Sequence, residues 1–478
     1  MAERVSSQDL IGLVLDEGSF VSWDEPIDRS SYSEQYRAEL ERATERSGVD
    51  ESIVTGRGTV SGRPVAFVLN EFGFLAGSIG RDAAARIVAA VRRATAEGLP
   101  LLASTASGGT RMQEGTPAFV RMVDISRAIM AHRAAGLPYL VHLRHPTTGG
   151  VFASWGSLGH VTVAEPGALV GFLGPKVYEL LNGRPFPPGV QVSENLADRG
   201  IIDAVVKVED LPAVVEHALG ILLDPASDSS RERRQGEVPA AADHDTWASI
   251  EVTRGADRAG VRDLLRHGSD TTLRLQGTDE GERDSAMLVA LARIDGVPCV
   301  VIGQDRTRQT PESPMGPGAL REARRGMRLA NELGLPLVSV VDTPGAELSP
   351  EAEQGSIAGE IARCIATMST MRVPTVSVLL GEGCGGGALA LLPADVTLAT
   401  EHAWLSPLPP EGASAIVHGD VEHAAQMAEQ QRVSVLELRE QGTVHHVLPE
   451  PAGDTPAALA TAVAAEIGHH LRRLTAAG

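Results

Sequence analysis

The sequence predicts an α/β protein built from two copies of one fold. Three observations carry this reading. A proline followed by a short apolar, β-branched run, the pattern of a buried parallel strand, occurs three times in each half of the 478-residue chain. The prolines are evenly placed, 36 and 38 residues apart in the first half and 38 and 38 in the second. The intervals hold helix-like stretches, so the repeating unit is strand, helix, strand.

In chain order, Tyr32 to Arg46 reads as a helix in an N-terminal arm. The first three strands are GRPVAFVL at Pro64, GLPLLAST at Pro100 and GLPYLVHL at Pro138, with AAARIVAAVRRATAEG as a helix between the first two. Beyond them come Gly149-Gly150, a strand VTVAE ending at Glu165, and LADRGIID over 196–203. DPASDSSRERRQGEVPAAADHD, Asp224 to Asp245, is small, polar and charged, the composition of a linker. The expected boundary lies near residue 235, giving domains 1–235 and 236–478. The second copy repeats the order: GVPCVVIG at Pro298, helix ALREARRGMRLANELG, GLPLVSVV at Pro336, RVPTVSVL at Pro374, then Gly386-Gly387, VTLATE ending at Glu401, and LREQGTVH over 438–445. One or two such coincidences are ordinary in α/β proteins; six in register point to duplication.

Charge and composition exclude several classes. A net charge of −20, from 62 acidic against 42 basic residues, argues against nucleic-acid or anionic-membrane binding, which needs a positive field. A polyphosphate ligand would need a local arginine patch. Cys299, Cys364 and Cys384 are too few and too far apart for a disulfide framework or a zinc ribbon. The start MAERVSSQDL has no signal-peptide pattern, and no stretch reaches the ~18 apolar residues of a membrane span. The expectation is a soluble, cytoplasmic protein. All basic residues but Lys176 and Lys207 are arginine, and both lysines precede valine, so a GxxxxGK[S/T] phosphate loop is absent and a Schiff-base lysine is not indicated. The scarcity of lysine itself fits codon bias in a GC-rich genome.

Four glycine-rich loops fall where strands lead into helices, the usual place for sites in α/β folds: Ala106–Gly115, Pro146–Ser154, Asp342–Pro350 and Gly381–Leu391. Any one of them could serve only close packing of strand and helix; matched positions in both halves favour function. Gly381, Gly383 and Gly386 form a GxGxxG with Glu401 at the end of the next strand, formally a dinucleotide fingerprint. It lies in the third repeat rather than the opening one, and the first-half loop lacks it. The DTPG at Asp342–Gly345 resembles the magnesium-proximal turn of GTPases, but no lysine-bearing loop accompanies it. His142, His145 and His160 have no acidic partner at ligand spacing. Cys384 is flanked wrongly for a nucleophile elbow and reads as a small packing residue. The positive chemistry left is backbone chemistry. Glycine pairs entering a helix present unhindered N–H groups that stabilise charge developing on a carbonyl oxygen. Two copies give two such oxyanion holes, Gly149-Gly150 and Gly387-Ala388.

Read together, ASGGTRMQEG, GLPYLVHLRHPTTGGVFASWGSLGHVTVAEPGALVGFLGPKV and SENLADRGIIDAVV resemble the β subunit of the bacterial acetyl-CoA carboxylase transferase. IDGVPCVVIGQDR, GLPLVSVVDTPGAE, MSTMRVPTVSVLLGEGCGGGALAL and LSPLPPEGASAIV resemble its α subunit. From about Asp9 to Pro449 the chain resembles a fused β–α carboxyltransferase component of acyl-CoA carboxylases, which implies two homologous crotonase-like ββα-superhelix domains. The resemblance implies carboxyl transfer from carboxybiotin to a short acyl-CoA, acetyl-CoA to malonyl-CoA for fatty-acid biosynthesis. It places the thioester carbonyl at Gly149-Gly150 and the ureido oxygen of biotin at Gly387-Ala388. Ser107, Gly108, Gly109 and Arg111 would lie near the CoA nucleotide, with Gly171, Phe172, Lys176 and Gly386 as further contacts and Leu389 and Ala390 beside the acyl group. Arg57, Arg63, Arg81, Arg111 and Lys176 are the candidate cations for the CoA phosphates. The implied steps are CO2 release, removal of the acyl α-proton by the biotin nitrogen, and attack of the enolate on CO2.

No AMKM-type biotin-attachment site and no ATP-grasp half occur in the sequence, so the biotin carboxyl carrier protein and biotin carboxylase are expected as separate partners. A homo-oligomer, a dimer or a trimer of dimers, is implied because the family builds its site from domains of two chains. Two departures stand out. No cysteine precedes Cys299, so the β subunit's zinc ribbon is missing and no metal is expected; and GCGGGA replaces the serine before the α subunit's Gly-Gly-Ala. Other readings are a malonyl-thioester decarboxylase of the same superfamily, a nicotinamide oxidoreductase using Gly381-Gly383-Gly386, and a non-catalytic assembly subunit. Intact glycine pairs argue against the last.

Overall fold

Four of the six prolines explain how the two sheets begin. A computed structural model describes residues 5–236, 238, 240 and 244–477. In it, Pro100 and Pro138 stand immediately before strands Leu101–Ser107 and Tyr139–Thr148, and Pro336 and Pro374 before Leu337–Thr343 and Thr375–Cys384. Each proline carbonyl accepts the first rung of the ladder: Ala66 N–H donates to Pro100 O, Leu101 to Pro138, Val300 to Pro336 and Leu337 to Pro374, all at 2.9 Å. A residue with no N–H of its own starts a strand without leaving a donor unpaired.

The chain forms two compact units. The first comprises the residues up to Leu223 together with Asp279–Gly281; the second comprises Asp224–Thr278 and Glu282–Gly478. The first holds an eight-stranded sheet in the order Val21–Ser22, Ile53–Val60, Arg63–Asn70, Leu101–Ser107, Tyr139–Thr148, Val161–Ala164 and Ala204–Val205, with Val170–Gly171 also paired to Tyr139–Thr148. The second repeats it as Ser269–Leu275, Met287–Ile294, Val297–Gln304, Leu337–Thr343, Thr375–Cys384, Val396–Thr400 and His446–Leu448, with Trp404–Ser406 beside Thr375–Cys384. In both sheets the first three strands pair antiparallel and the rest parallel. The antiparallel partners Ile53–Val60 and Met287–Ile294 escape the proline criterion because no proline precedes them.

Even the irregularities repeat. The parallel pairing shifts register between Thr105 and Ser107 in the first sheet and between Val341 and Thr343 in the second, setting Ser107 opposite Thr147 and Thr343 opposite Gly383. Two residues beyond each, Gly149 and Gly385 both take positive φ, 62° and 67°. By this register Gly149 matches Gly385, so the oxyanion pair expected at Gly387-Ala388 lies further into its helix than Gly149-Gly150 lies into its turn.

Apolar packing holds the layers. Helix Arg81–Ala96 buries Ala83, Ile87, Ala90, Val91 and Ala94 against Ala66, Val68, Leu101 and Ala103 of the first sheet. In the second unit, helix Pro456–Ala477 lays Leu459, Val463, Ile467 and Leu471 on Val338, Val340, Val376 and Val378. A buried Leu, Ile or Val side chain contributes ~1.5–3 kcal/mol to each such layer. The linker-like residues after Leu223 strap onto the second unit: Ser229 Oγ donates to Asp295 Oδ2 (2.7 Å), Arg231 pairs with Asp270 (2.8 Å) and Arg233 with Glu466 (2.7 Å). The boundary expected near residue 235 falls within this region, and residues 237, 239 and 241–243 of the expected linker lie outside the described residues.

Candidate active site

In the first unit, three loops converge at the C-terminal ends of the parallel strands. Ser107 ends its strand fully buried; its Oγ donates to Gly77 O (2.6 Å) and accepts from Gly109 N–H (3.0 Å). Gly108 N–H donates to Ala76 O (2.9 Å). Gly109 has φ 103°, and a Cβ there would stand 3.4 Å from Thr148 O and 3.5 Å from Gly149 Cα. Gly149 N–H in turn donates to Phe172 O (3.0 Å) and Gly171 O (3.2 Å). The fold therefore brings Ser107, Gly108, Gly109, Gly149, Gly150, Gly171 and Phe172 together.

The two glycines of the pair are not equivalent. The Gly149 amide is committed to Phe172, whereas no backbone carbonyl among the described residues accepts from Gly150. Gly150 is thus the amide of this pair that the backbone leaves uncommitted. The segment that follows is not the expected helix: residues 149–154 are a turn closed by Ala153 N–H to Gly149 O (3.0 Å), leading to a single 3-10 turn at Trp155–Ser157. Helix-dipole support is correspondingly small here.

Arg111 is not at the surface. Its side chain is 1% exposed and every N–H is taken: Nη1 donates to Glu51 Oε2 (2.9 Å) and Tyr36 OH (3.4 Å), Nη2 to Glu51 Oε1, Ser52 Oγ (3.1 Å) and Ser78 O (2.7 Å), and Nε to Ser78 Oγ (3.3 Å). The expectation that Arg111 meets the CoA nucleotide is corrected: it is a strut beneath the ASGGTR loop. Of the other cations, Lys176 is exposed on helix Pro175–Asn182, Arg81 pairs with Glu114 (3.2 Å), and Arg57 pairs with Glu97 (3.5 Å).

The second unit builds the matching loops from different side chains. Thr343 Oγ1 donates to Gln309 Oε1 (2.6 Å) and accepts from Gly345 N–H (3.1 Å), fixing the DTPG turn. Cys384 caps helix Gly385–Leu389 without a side-chain hydrogen bond, so no capping side chain takes up the N–H groups of Gly385, Gly386 and Gly387, which have no intrahelical acceptor. A Cβ on Gly387 would come within 2.5 Å of Met315 Cε, and one on Gly386 within 2.7 Å of Ile361 Cδ1. Leu389 is 48% exposed while Ala390 is fully buried; of the two, only Leu389 has an accessible side chain, which corrects the expectation for Ala390.

The competing motifs dissolve in this geometry. Gly381 and Gly383 belong to strand Thr375–Cys384, where their missing Cβ atoms make room for Asp342 Oδ1 (2.5 Å) and Trp404 O (2.7 Å). They form no phosphate-cradling turn. Burial pushes the Cys384 thiol up to about 12, with Glu382 adding to the shift, so it stays protonated. His142 is buried with Nδ1 3.1 Å from Ser104 Oγ, and burial drives its pKa down to about 3. His145 Nδ1 accepts from Leu169 N–H (3.1 Å) and His160 Nδ1 from Tyr139 N–H (3.0 Å). Among the described residues one group has metal-ligand spacing, His446, Glu466 and His470; its carboxylate is held by Arg233 through two hydrogen bonds of 2.8 and 2.7 Å, and it includes none of the glycine loops. A residue without a sequence motif also reaches the site: Gln304, wholly buried at the end of strand Val297–Gln304, donates through Nε2 to Gly387 O (2.8 Å).

Two α/β units of one topology, each with a glycine turn after its third proline-led strand, define a duplicated crotonase-like class of protein. The profile of the carboxyl transferase domain family matches residues 6–449, and the chain belongs to that family. It is 55% identical over 479 residues to a probable biotin-dependent acyl-coenzyme A carboxylase beta3 subunit of Mycobacterium tuberculosis, covering 99% of this chain and 96% of the relative. It is 36% identical over 479 residues to the acetyl-coenzyme A carboxylase carboxyl transferase subunits beta/alpha of Saccharopolyspora erythraea, covering 97% and 84%. Transcarboxylase 12S, a solved hexamer, superposes with a TM-score of 0.79 at 21% identity, covering 98% of this chain and 89% of its own. This chain is a carboxyltransferase component of the acyl-CoA carboxylase kind. No helix among the described residues is long and apolar enough to cross a membrane.

Proposed function

We propose that the chain moves a carboxyl group from carboxybiotin, held on a separate carrier protein, to a short acyl-CoA, with acetyl-CoA as acceptor and malonyl-CoA as product for fatty-acid synthesis. One observation carries this reading: a glycine turn follows the third proline-led strand in both units, with the Gly150 N–H free of any backbone carbonyl among the described residues in the first and helix Gly385–Leu389 lacking a side-chain cap in the second. Donors of this kind stabilise negative charge as it develops on a carbonyl oxygen. A thioester turning into an enolate and a ureido carbonyl are two such oxygens, and two turns match them. We assign the thioester oxygen to the Gly149-Gly150 turn, with Gly150 donating, and the ureido oxygen to Gly387-Ala388.

Biotin, when its carrier brings it, supplies the carboxyl group and a basic nitrogen. The chain's own part is to hold both carbonyls. Its buried thiol and imidazole, Cys384 and His142, are neutral and take no part. With Arg111 buried, Lys176 and Arg81 are the cations we assign to the CoA phosphates. The biotin dependence and acetyl-CoA named for the relatives support donor and acceptor. The hexamer named for transcarboxylase 12S supports a homo-oligomer, and a biotin carboxylase is the further partner. Decarboxylation of a malonyl thioester on the same two turns is the second reading.

The purified chain is incubated with malonyl-CoA and a biotinylated carrier, and acetyl-CoA is followed. Release that depends on biotin supports carboxyl transfer. Release without biotin supports the decarboxylase. No reaction with malonyl-, methylmalonyl- or longer acyl-CoAs overturns both.

A further inference from the structure

The direction of the Ala388 N–H is braced from outside its own helix. A peptide unit is planar and trans, so the Gly387 C=O and the Ala388 N–H belong to one plate and point opposite ways. Whatever holds the oxygen aims the hydrogen. In a regular α-helix the Gly387 oxygen would accept from Leu391, but here Leu391 N–H turns back to Ala388 O at 3.2 Å. The tightened turn leaves the Gly387 oxygen without its helical partner, inside the protein where an unpaired carbonyl is costly. The Gln304 amide fills the gap: Nε2 donates to Gly387 O (2.8 Å) and lies 3.6 Å from Met315 Sδ, while Oε1 accepts the Asp342 N–H at 2.9 Å.

Gln304 is therefore fixed at both ends of its amide, and Met315 packs against the bare face of Gly387, 2.5 Å from where a Cβ would be. The corresponding residue that ends the first unit's strand Arg63–Asn70 does something else. Asn70 Nδ2 donates to Gly77 O (3.1 Å) and Ser52 O (3.4 Å), and the Gly149 oxygen, which shares a peptide plate with the Gly150 N–H, accepts instead from Ala153 N–H (3.0 Å). The clamp is a feature of the second unit alone.

We propose that Gln304 is a positioning residue for carboxyl transfer: by clamping the Gly387 oxygen it aims the Ala388 N–H at the carbonyl bound there. The inference rests on the assignment of Gly387-Ala388 as a carbonyl-binding pair. A donor displaced by about 1 Å from its working geometry costs on the order of 100-fold in rate, while binding of acyl-CoA at the first unit's loops does not depend on it.

The test measures biotin-dependent acetyl-CoA release by the full chain carrying Gln304→Met, Gln304→Glu or Gln304→Asn. Methionine matches the length without the donor, glutamate keeps the acceptor for Asp342 but loses the donor, and asparagine keeps an amide too short to reach. In each variant that folds, judged by circular dichroism and thermal unfolding, kcat is expected to fall about 10- to 100-fold while KM for malonyl-CoA stays within about threefold. A purely structural role would not produce that split. Unchanged kcat in folded Gln304→Met and Gln304→Glu overturns the proposal. Gly150→Val and Gly387→Val are run beside them: if both lose turnover while the Gln304 variants keep it, only the clamp fails. If both keep turnover, the carbonyl-site reading itself fails.

Discussion

Arg111 and Glu51 meet as a buried ion pair, Nη1 to Oε2 at 2.9 Å, beneath the loop that carries Ser107, Gly108 and Gly109. Their side chains are 1% and 2% exposed. Removing one partner of such a pair strands the other charge in the interior, which costs ~3–5 kcal/mol. Arg111→Ala is expected to lower stability by about that much in urea unfolding, and to leave KM for acyl-CoA within threefold in whatever folded enzyme is recovered. A large rise in KM with normal stability would restore Arg111 to the CoA site.

This pair also marks where sequence reading stops. The strands were legible because a proline that starts a buried run leaves a physical trace, a missing N–H at the one rung that can spare it. The duplicated glycine turns were legible for the same reason: positive φ at Gly149 and Gly385 restricts the residue type. Nothing in one dimension tells which arginine of a family motif finds Glu51 across the fold, or which of two adjacent glycines spends its N–H on Phe172. Gln304 carried a faint trace, since both first proline-led strands end in a side-chain amide, Asn70 and Gln304. What that amide clamps is decided by a helix more than 80 residues later in the chain.

Cys384 ends strand Thr375–Cys384 and directly precedes the glycine helix Gly385–Leu389. Its thiol is buried and pushed up to about 12, and all three cysteines are buried and free. Because the thiolate is the reactive form, Ellman's reagent is expected to label none of the three quickly in the native protein and all of them after denaturation. Cys384→Ser is expected to keep turnover within about threefold. A fast-reacting native thiol that abolishes turnover when blocked and is absent from Cys384→Ser would contradict this.

His142 predicts an acid-side loss of stability. Its pKa is held down to about 3 by burial, with Arg144 adding to the shift, against ~6.5 in the unfolded chain. Between those values the unfolded state binds the proton and the folded state does not, so stability falls as pH drops below ~6.5 and continues to fall until about pH 3. At pH 5 the term amounts to about 2 kcal/mol. Urea unfolding of wild type and His142→Gln at pH 7.5 and pH 5 isolates it: wild type is expected to lose about 2 kcal/mol more than the variant over that interval. Equal losses would mean His142 does not carry the effect.

Gly149 and Gly150 should fail differently when substituted. Gly149 has φ 62°, a conformation costing a side chain ~1–2 kcal/mol, and its N–H is already bonded to Phe172 O. Gly149→Ala is therefore expected to lower the unfolding free energy by ~1–2 kcal/mol with kcat within about tenfold of wild type. Gly150 is free of that backbone restriction, and a Cβ there would lie 3.3 Å from Thr110 Oγ1 and 3.4 Å from Met122 Cγ, tight but open to small adjustment. Gly150→Val is expected to fold with a smaller loss of stability while its branched side chain crowds the donor, lowering kcat at least ~100-fold, the scale of one lost oxyanion contact. Paired unfolding curves and turnover numbers read both variants on one scale. The reverse pattern, a stable but inactive Gly149→Ala beside a fully active Gly150→Val, would make Gly149 the donor and require the Phe172 hydrogen bond to break when substrate binds.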